Sequence, residues 1–192
     1  MSKAALIVGG IVATLILAGC AEDPTGSAAQ NNLNYATGSP YKEIPPADRK
    51  APVKFLGLLD TGEKVSNKTF LGKVHVINFW YAGCGPCRVE APRLQSAFSS
   101  YSGSVPFLGV NTYDQAASAL TFEKAHNVTY PSVIDVNDTA VQYAFSASIP
   151  ANAVPTTLVI DQQGRVAARV TGIIEEASIL KALVDKVVGE GQ

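Results

Sequence analysis

Two cysteines three apart, Cys84-Gly85-Pro86-Cys87, stand where an apolar run, residues 73–81 (KVHVINFWY), meets a helical pattern over residues 85–100. Few arrangements restrict a fold more. The run is rich in β-branched and aromatic residues and reads as a central strand. The spacing lets both sulfurs meet across the first turn of the helix that follows, and Pro86 suits that turn because its missing N–H has no partner there anyway. A C-x-x-C near a strand–helix–strand pattern reads as a redox dithiol. At a helix N-terminus the unpaired N–H groups and the dipole favour a thiolate at Cys84, with Cys87 one turn deeper as the resolving thiol. The expected steps are attack by one thiolate, a mixed disulfide, and displacement by the second sulfur. A purely structural disulfide is the bland reading of the same spacing. A zinc half-site would need two further ligands, and neither His75 nor His126 is paired at ligand spacing. Covalent haem would need a histidine after Cys87, where Arg88 stands. No metal and no cofactor is therefore expected.

The rest of the chain from about residue 51 alternates strand and helix patterns. Residues 53–59 and 64–66, joined at Asp60-Thr61-Gly62-Glu63, read as a hairpin. Strands are predicted over 105–113, 132–136, 156–161 and 165–171, the last two around Gln162-Gln163-Gly164. Helices are predicted over 85–100 (apolar at Val89, Leu94, Ala97 and Phe98), 115–126, 138–145 and 175–188. The expected fold class is α/β, a mixed sheet with helices on both faces. Phe79 and Trp80 are expected in the core, with a place bordering the dithiol as the alternative for Trp80, and His75 on a strand or at the surface. Glu90, three residues after Cys87, shares its helix face. Partly buried there, a carboxyl would be harder to ionise and suited to general acid–base work; a solvated helix charge is the alternative. Pro92 is expected to be structural.

The N-terminus explains an oddity of composition. Only 16% of the 192 residues are charged, against about 25% in soluble domains. Residues 4–19, AALIVGGIVATLILAG, carry no charge and follow Met-Ser-Lys, which fits a signal-peptide core better than a full membrane span. The run ends at Leu17-Ala18-Gly19-Cys20, which resembles the lipobox of bacterial lipoproteins. That resemblance implies cleavage before Cys20 and a lipid on its sulfur, accounting for the odd third cysteine and a site outside the cytoplasm. Two acyl chains hold a protein on a membrane stably. Residues 20–50 read as a flexible tether of roughly 30 Å reach, leaving 51–192 as one domain. The net charge of −1, with no charged run, gives no footprint for nucleic acid.

The segment Asn78-Phe79-Trp80-Tyr81-Ala82-Gly83-Cys84-Gly85-Pro86-Cys87-Arg88-Val89-Glu90-Ala91-Pro92 resembles the thioredoxin superfamily, and within it the membrane-attached, extracytoplasmic TlpA/ResA-like branch with its C-x-x-C-x-x-E-x-P signature. The likeness extends over residues 53–188, through Gly109-Val110-Asn111, Tyr130-Pro131 and the run from Val154-Pro155 to Asp161. It implies a thioredoxin-like fold with an N-terminal hairpin and a central insertion around 115–146. It also implies that Pro155 is the cis-proline beside the dithiol, that Val154 offers backbone groups to the substrate chain, and that Glu90 tunes the thiols. Trp80, Gly85 and Pro86 would support the site. Two departures stand out: Asn78 occupies the place where thioredoxin proper has a buried aspartate, and Gly83 that of the tryptophan that usually precedes the first cysteine.

What the resemblance implies is a lipid-anchored thiol–disulfide oxidoreductase on the outer face of a bacterial cell membrane. Its partners would be protein thiols and disulfides and a membrane redox protein that recycles the dithiol. The implied direction is that of a reductant, as in cytochrome c maturation, with an oxidant of secreted proteins as the alternative. A copper carrier is disfavoured because that class spaces its cysteines one residue further apart. A thiol peroxidase is disfavoured because the Pro-x-x-x-Thr/Ser-x-x-Cys frame is absent around Cys84.

Overall fold

A computed structural model describes residues 40–150 and 153–191. The signal segment, Cys20 and most of the expected tether lie outside the described residues. Among the described residues eight strands and four α-helices follow one another: β1 (Tyr41–Glu43), β2 (Leu56–Leu58), β3 (Lys64–Ser66), β4 (His75–Trp80), α1 (Gly85–Ser100), β5 (Phe107–Asn111), α2 (Ala116–Ala125), β6 (Ser132–Ile134), α3 (Ala140–Phe145), β7 (Thr156–Ile160), β8 (Val166–Thr171) and α4 (Ala177–Gly189).

Six strands form one sheet in the order β1-β8-β7-β4-β5-β6, and β2 and β3 pair as a separate hairpin. The register follows from the apolar runs. β4 is buried along its whole length and pairs parallel to β5 and antiparallel to β7. Side chains alternate across a strand. Val76, Asn78 and Trp80 therefore face α1, α2 and α4, where Val76 packs with Leu94 and Leu180, and Trp80 with Ala91 and Phe122. Ile77 and Phe79 face the other side, packing with Val141 and Phe145 of α3 and with Phe55, Val65 and Phe70 around the hairpin. Both faces are covered, as the fully buried strands β4, β5 and β7 require.

Two sequence expectations change. The tether was expected to run to residue 50, yet β1 pairs antiparallel with β8 (Tyr41 opposite Val170, Glu43 opposite Ala168) and Arg49 is buried in ion pairs with Asp161 and Glu190. Residues 41–50 belong to the folded domain. A three-residue edge strand and a single arginine carry no periodicity, so composition hid them. Val89 is exposed at 51%, because the buried stripe of α1 runs through Cys87, Glu90, Ala91, Leu94 and Ala97. His75 lies on β4, the strand position expected, where it is buried and stacked on Phe70 with ring centroids 4.7 Å apart.

Candidate functional site

The dithiol lies where β4 ends and α1 begins. Cys84 is the N-cap residue of α1, with extended backbone, and exposed Gly85 and Pro86 form the first helical positions. Cys84 and Cys87 are disulfide-bonded and buried. The Cys84 Sγ accepts the Cys87 backbone N–H at 3.1 Å. That N–H is among the first-turn donors for which a helix has no partner, so the helix aims a donor at this sulfur.

The approach to Cys84 is braced from two sides. The Ala82 N–H donates to Asp114 Oδ2 at 2.6 Å, and Arg88 Nε donates to the Ala82 carbonyl at 2.9 Å. Asp114 is itself held in the turn after β5, where Asn111 Oδ1 accepts its N–H at 2.7 Å and Asn111 Nδ2 donates to Asp114 Oδ2 at 3.0 Å. An N-x-x-D turn closing a strand next to the C-x-x-C was the available sequence signal for this brace. Beside it an open cavity of about 510 Å³ is bordered by Ala82, Arg88, Phe122 and His126.

Trp80 packs in one cluster with Cys84, Cys87, Ala91 and Phe122, its ring 4.5 Å from that of Phe122. Its Nε1 donates to Ser132 Oγ at 3.3 Å. Gly109 makes room for this pair: a Cβ there would stand 2.2 Å from Ser132 Oγ and 2.8 Å from Trp80 Nε1. Val154 packs against the same cluster, and the Val154–Pro155 peptide bond is cis. The Pro155 carbonyl accepts the Gly172 N–H at 2.8 Å, tying the strand entrance to the loop after β8. Cys84, Cys87, Trp80 and Val154 thus meet at one place, with Gly85 and Pro86 at its rim.

Glu90 is not a solvated helix charge. It is 0% exposed, one turn beyond Cys87 on α1. Oε1 accepts Asn78 Nδ2 at 2.9 Å, and Oε2 accepts the Ile174 N–H at 3.1 Å. Burial pushes the carboxyl up to about 7, and the two donors and nearby Arg93 pull back against it. Arg93 Nη1 donates to the Ile174 carbonyl at 2.8 Å, so α1 holds both the N–H and the C=O of this one residue. Thr157 and Ile174 escape a sequence reading, as does the contact of Asn78 with Glu90, because the three residues come from separate elements. Glu123 of α2 is a second buried glutamate, beside Ser132 and Asp60, and burial raises it too. His126 stacks on Phe122 at 4.3 Å at the end of α2. Among the described residues no three or more His, Cys, Asp or Glu side chains are grouped to hold a metal ion.

Comparison with known proteins bears on the family and the fold. The sequence model of the AhpC/TSA family matches residues 47–169, more than half of the chain. Thiol-disulfide oxidoreductase ResA of Bacillus subtilis (strain 168) is 30% identical over 119 residues, which is 62% of this chain and 64% of ResA. Thiol:disulfide interchange protein HelX of Rhodobacter capsulatus is 31% identical over 115 residues, 58% of this chain and 60% of HelX. The chain thus spans less than two thirds of the length of these relatives. A solved DsbF homologue from Corynebacterium diphtheriae superposes with a TM-score of 0.68 at 27% identity, covering 86% of this chain and 96% of that one. The fold is thioredoxin-like, a mixed sheet flanked by helices.

Proposed function

The chain belongs to the AhpC/TSA family, and on that premise we propose that it is an extracytoplasmic thiol:disulfide oxidoreductase, held to the membrane by lipid on Cys20 and acting on protein cysteines. One observation carries the reading: Cys84, at the N-terminus of α1, has the Cys87 N–H directed at its sulfur, and the resolving Cys87 sits one turn deeper. A donor and the positive end of the helix favour the thiolate, the nucleophile of exchange.

In the reducing direction, the Cys84 thiolate attacks one sulfur of a substrate disulfide. A mixed disulfide forms, and the departing substrate sulfur takes up a proton. Cys87 then gives its proton to Glu90 and attacks Cys84 Sγ. This breaks the mixed disulfide, closes Cys84–Cys87 and releases the second substrate sulfur, which takes its proton from Glu90. Two electrons and two protons leave the dithiol and reduce one disulfide to two thiols. A neighbouring membrane redox protein restores the dithiol. A carboxyl near 7 serves both as acceptor and donor at neutral pH. Val154 supplies backbone groups to the substrate chain, with Pro155 shaping that edge. Trp80, Gly85 and Pro86 hold the loop, and the reductant role is of the cytochrome c maturation type.

The test is turnover with a protein disulfide, paired with the redox equilibrium of the full chain against glutathione. Cys84→Ser is expected to abolish turnover, and Cys87→Ser to accumulate mixed disulfides. Full dithiol activity in Cys87→Ser, or consumption of hydrogen peroxide with a dithiol donor, would overturn the scheme. A potential above about −180 mV, away from thioredoxin at about −270 mV and towards DsbA at about −120 mV, would replace the reductant with an oxidant.

A further inference from the structure

We propose that Asn78 is the positioning residue for Glu90, its side-chain amide joining the carboxylate on α1 to the Thr157 hydroxyl on β7 in one buried junction. The inference rests on the reading of Glu90 as proton acceptor for Cys87. Asn78 lies on the central strand β4 and is 3% exposed. Its Nδ2 donates to Glu90 Oε1 at 2.9 Å and to Thr157 Oγ1 at 3.0 Å. A primary amide has two N–H donors, and both are committed. The amide orientation follows from its neighbour, since a carboxylate oxygen only accepts.

The alternatives at position 78 show why an amide is needed. An aspartate would set a second carboxylate against Glu90, and like charges at that range hinder ionisation. An aliphatic side chain would leave Oε1 buried without a donor. Asparagine supplies donors without a charge and does not titrate, so Glu90 remains the only carboxyl at the junction. The titratable groups bearing on Glu90 are Arg93 on α1 and Tyr130 before β6; the Asn78 amide comes from β4 and the Ile174 N–H from the segment before α4. Asn78, Trp80, Cys87 and Tyr130 also border one small cavity of about 10 Å³, so the junction reaches the resolving sulfur's surroundings. Thr157 is two residues beyond Pro155, which links the carboxylate to the strand whose entrance faces the dithiol.

The experiment compares Asn78→Ala, Asn78→Asp, Thr157→Val and Glu90→Gln in the full chain. Two readouts are used: the carbon-13 titration of the Glu90 carboxyl and the pH profile of exchange with a model disulfide. Losing a donor to a buried carboxylate is expected to move the Glu90 titration upward by about one unit in Asn78→Ala. Asn78→Asp should move it further, and Thr157→Val less, in the same direction. A merely structural role would lower stability and leave both curves in place, and that result overturns the inference. If Asn78→Ala does not fold, Thr157→Val decides, since it keeps the side-chain volume and removes only the hydroxyl. If Glu90→Gln moves the exchange profile while Asn78→Ala and Thr157→Val leave the titration fixed, this inference falls alone. If Glu90→Gln leaves the profile unmoved, the acid–base reading of Glu90 falls, and the carbon-13 titration still reports whether Asn78 sets its ionisation.

Discussion

Replacing Arg49 with methionine should destabilise the domain by about 3 kcal/mol, a figure that follows from how the guanidinium is held. Its side chain is 3% exposed. Nη1 donates to Asp161 Oδ2 at 3.1 Å, Nη2 pairs with Glu190 at 2.6 Å, and Nε donates to the Ile44 carbonyl at 2.9 Å. Removing one partner of a buried ion pair costs about 3–5 kcal/mol, whereas an exposed pair is worth about 0–1 kcal/mol. The Asp161 carboxylate is 4% exposed and belongs to the first kind; Glu190, at 27%, lies nearer the second. Asp161 keeps Arg165 Nε at 2.8 Å and the N–H groups of Gln163 and Arg165, which places the loss at the lower end. Methionine keeps the packing of the aliphatic stem. In urea, with a slope of about 2 kcal/mol/M, the midpoint should fall by about 1.5 M. Arg49→Lys should lie between, because a lysine lacks the planar fork. Hydrogen exchange should quicken first at the Ile44 and Thr171 amides, whose bonds to Ala167 and Pro40 hold the β1 edge. A midpoint change worth less than about 0.5 kcal/mol, the scale of an ordinary surface substitution, would refute the reasoning.

Two pH dependences of opposite sign should accompany it. Glu90 is raised from 4.5 to about 7 by burial, so its contribution to stability is present below pH 4.5 and is lost, by about 3 kcal/mol, as pH rises through 7. Glu90→Gln should flatten that fall in urea unfolding with the disulfide closed; curves parallel to wild type across this window would contradict it. His75 is lowered from 6.5 to about 4 by burial, so its contribution is present above pH 6.5 and is lost, by about 3 kcal/mol, as pH falls towards 4. His75→Phe keeps a ring against Phe70 and should remove this acid sensitivity, and an unchanged midpoint difference between pH 6.5 and about 4 would count against burial as the cause.

Much of the site was legible because its central chemistry is local. Cys84 and Cys87 meet across one helical turn, so their pairing needed no knowledge of the rest of the chain. Their place after β4 followed from the apolar run, and the alternating patterns predicted the sheet and its four helices. The exposure of Val89 was not legible, because the apolar stripe of α1 is fixed by where the helix docks, and that stripe includes a glutamate. The strand β1 was missed for a related reason. Its three residues carry no pattern, and they fold because β8 offers an edge and Arg49 finds two carboxylates far along the chain.

By itself, then, the sequence determined the dithiol, its position at a strand-to-helix junction and the α/β class of the domain, all of which depend on neighbours a few residues apart. The environment of that dithiol was decided only in three dimensions. Asn78, Glu90, Thr157 and Ile174 come from a strand, a helix, a second strand and a loop, and only the sheet order and the packing of α1 bring them together. A carboxyl on a helix is an ordinary surface charge until the fold buries it. Burial makes Glu90 hard to ionise, and the donors that meet it there determine how hard.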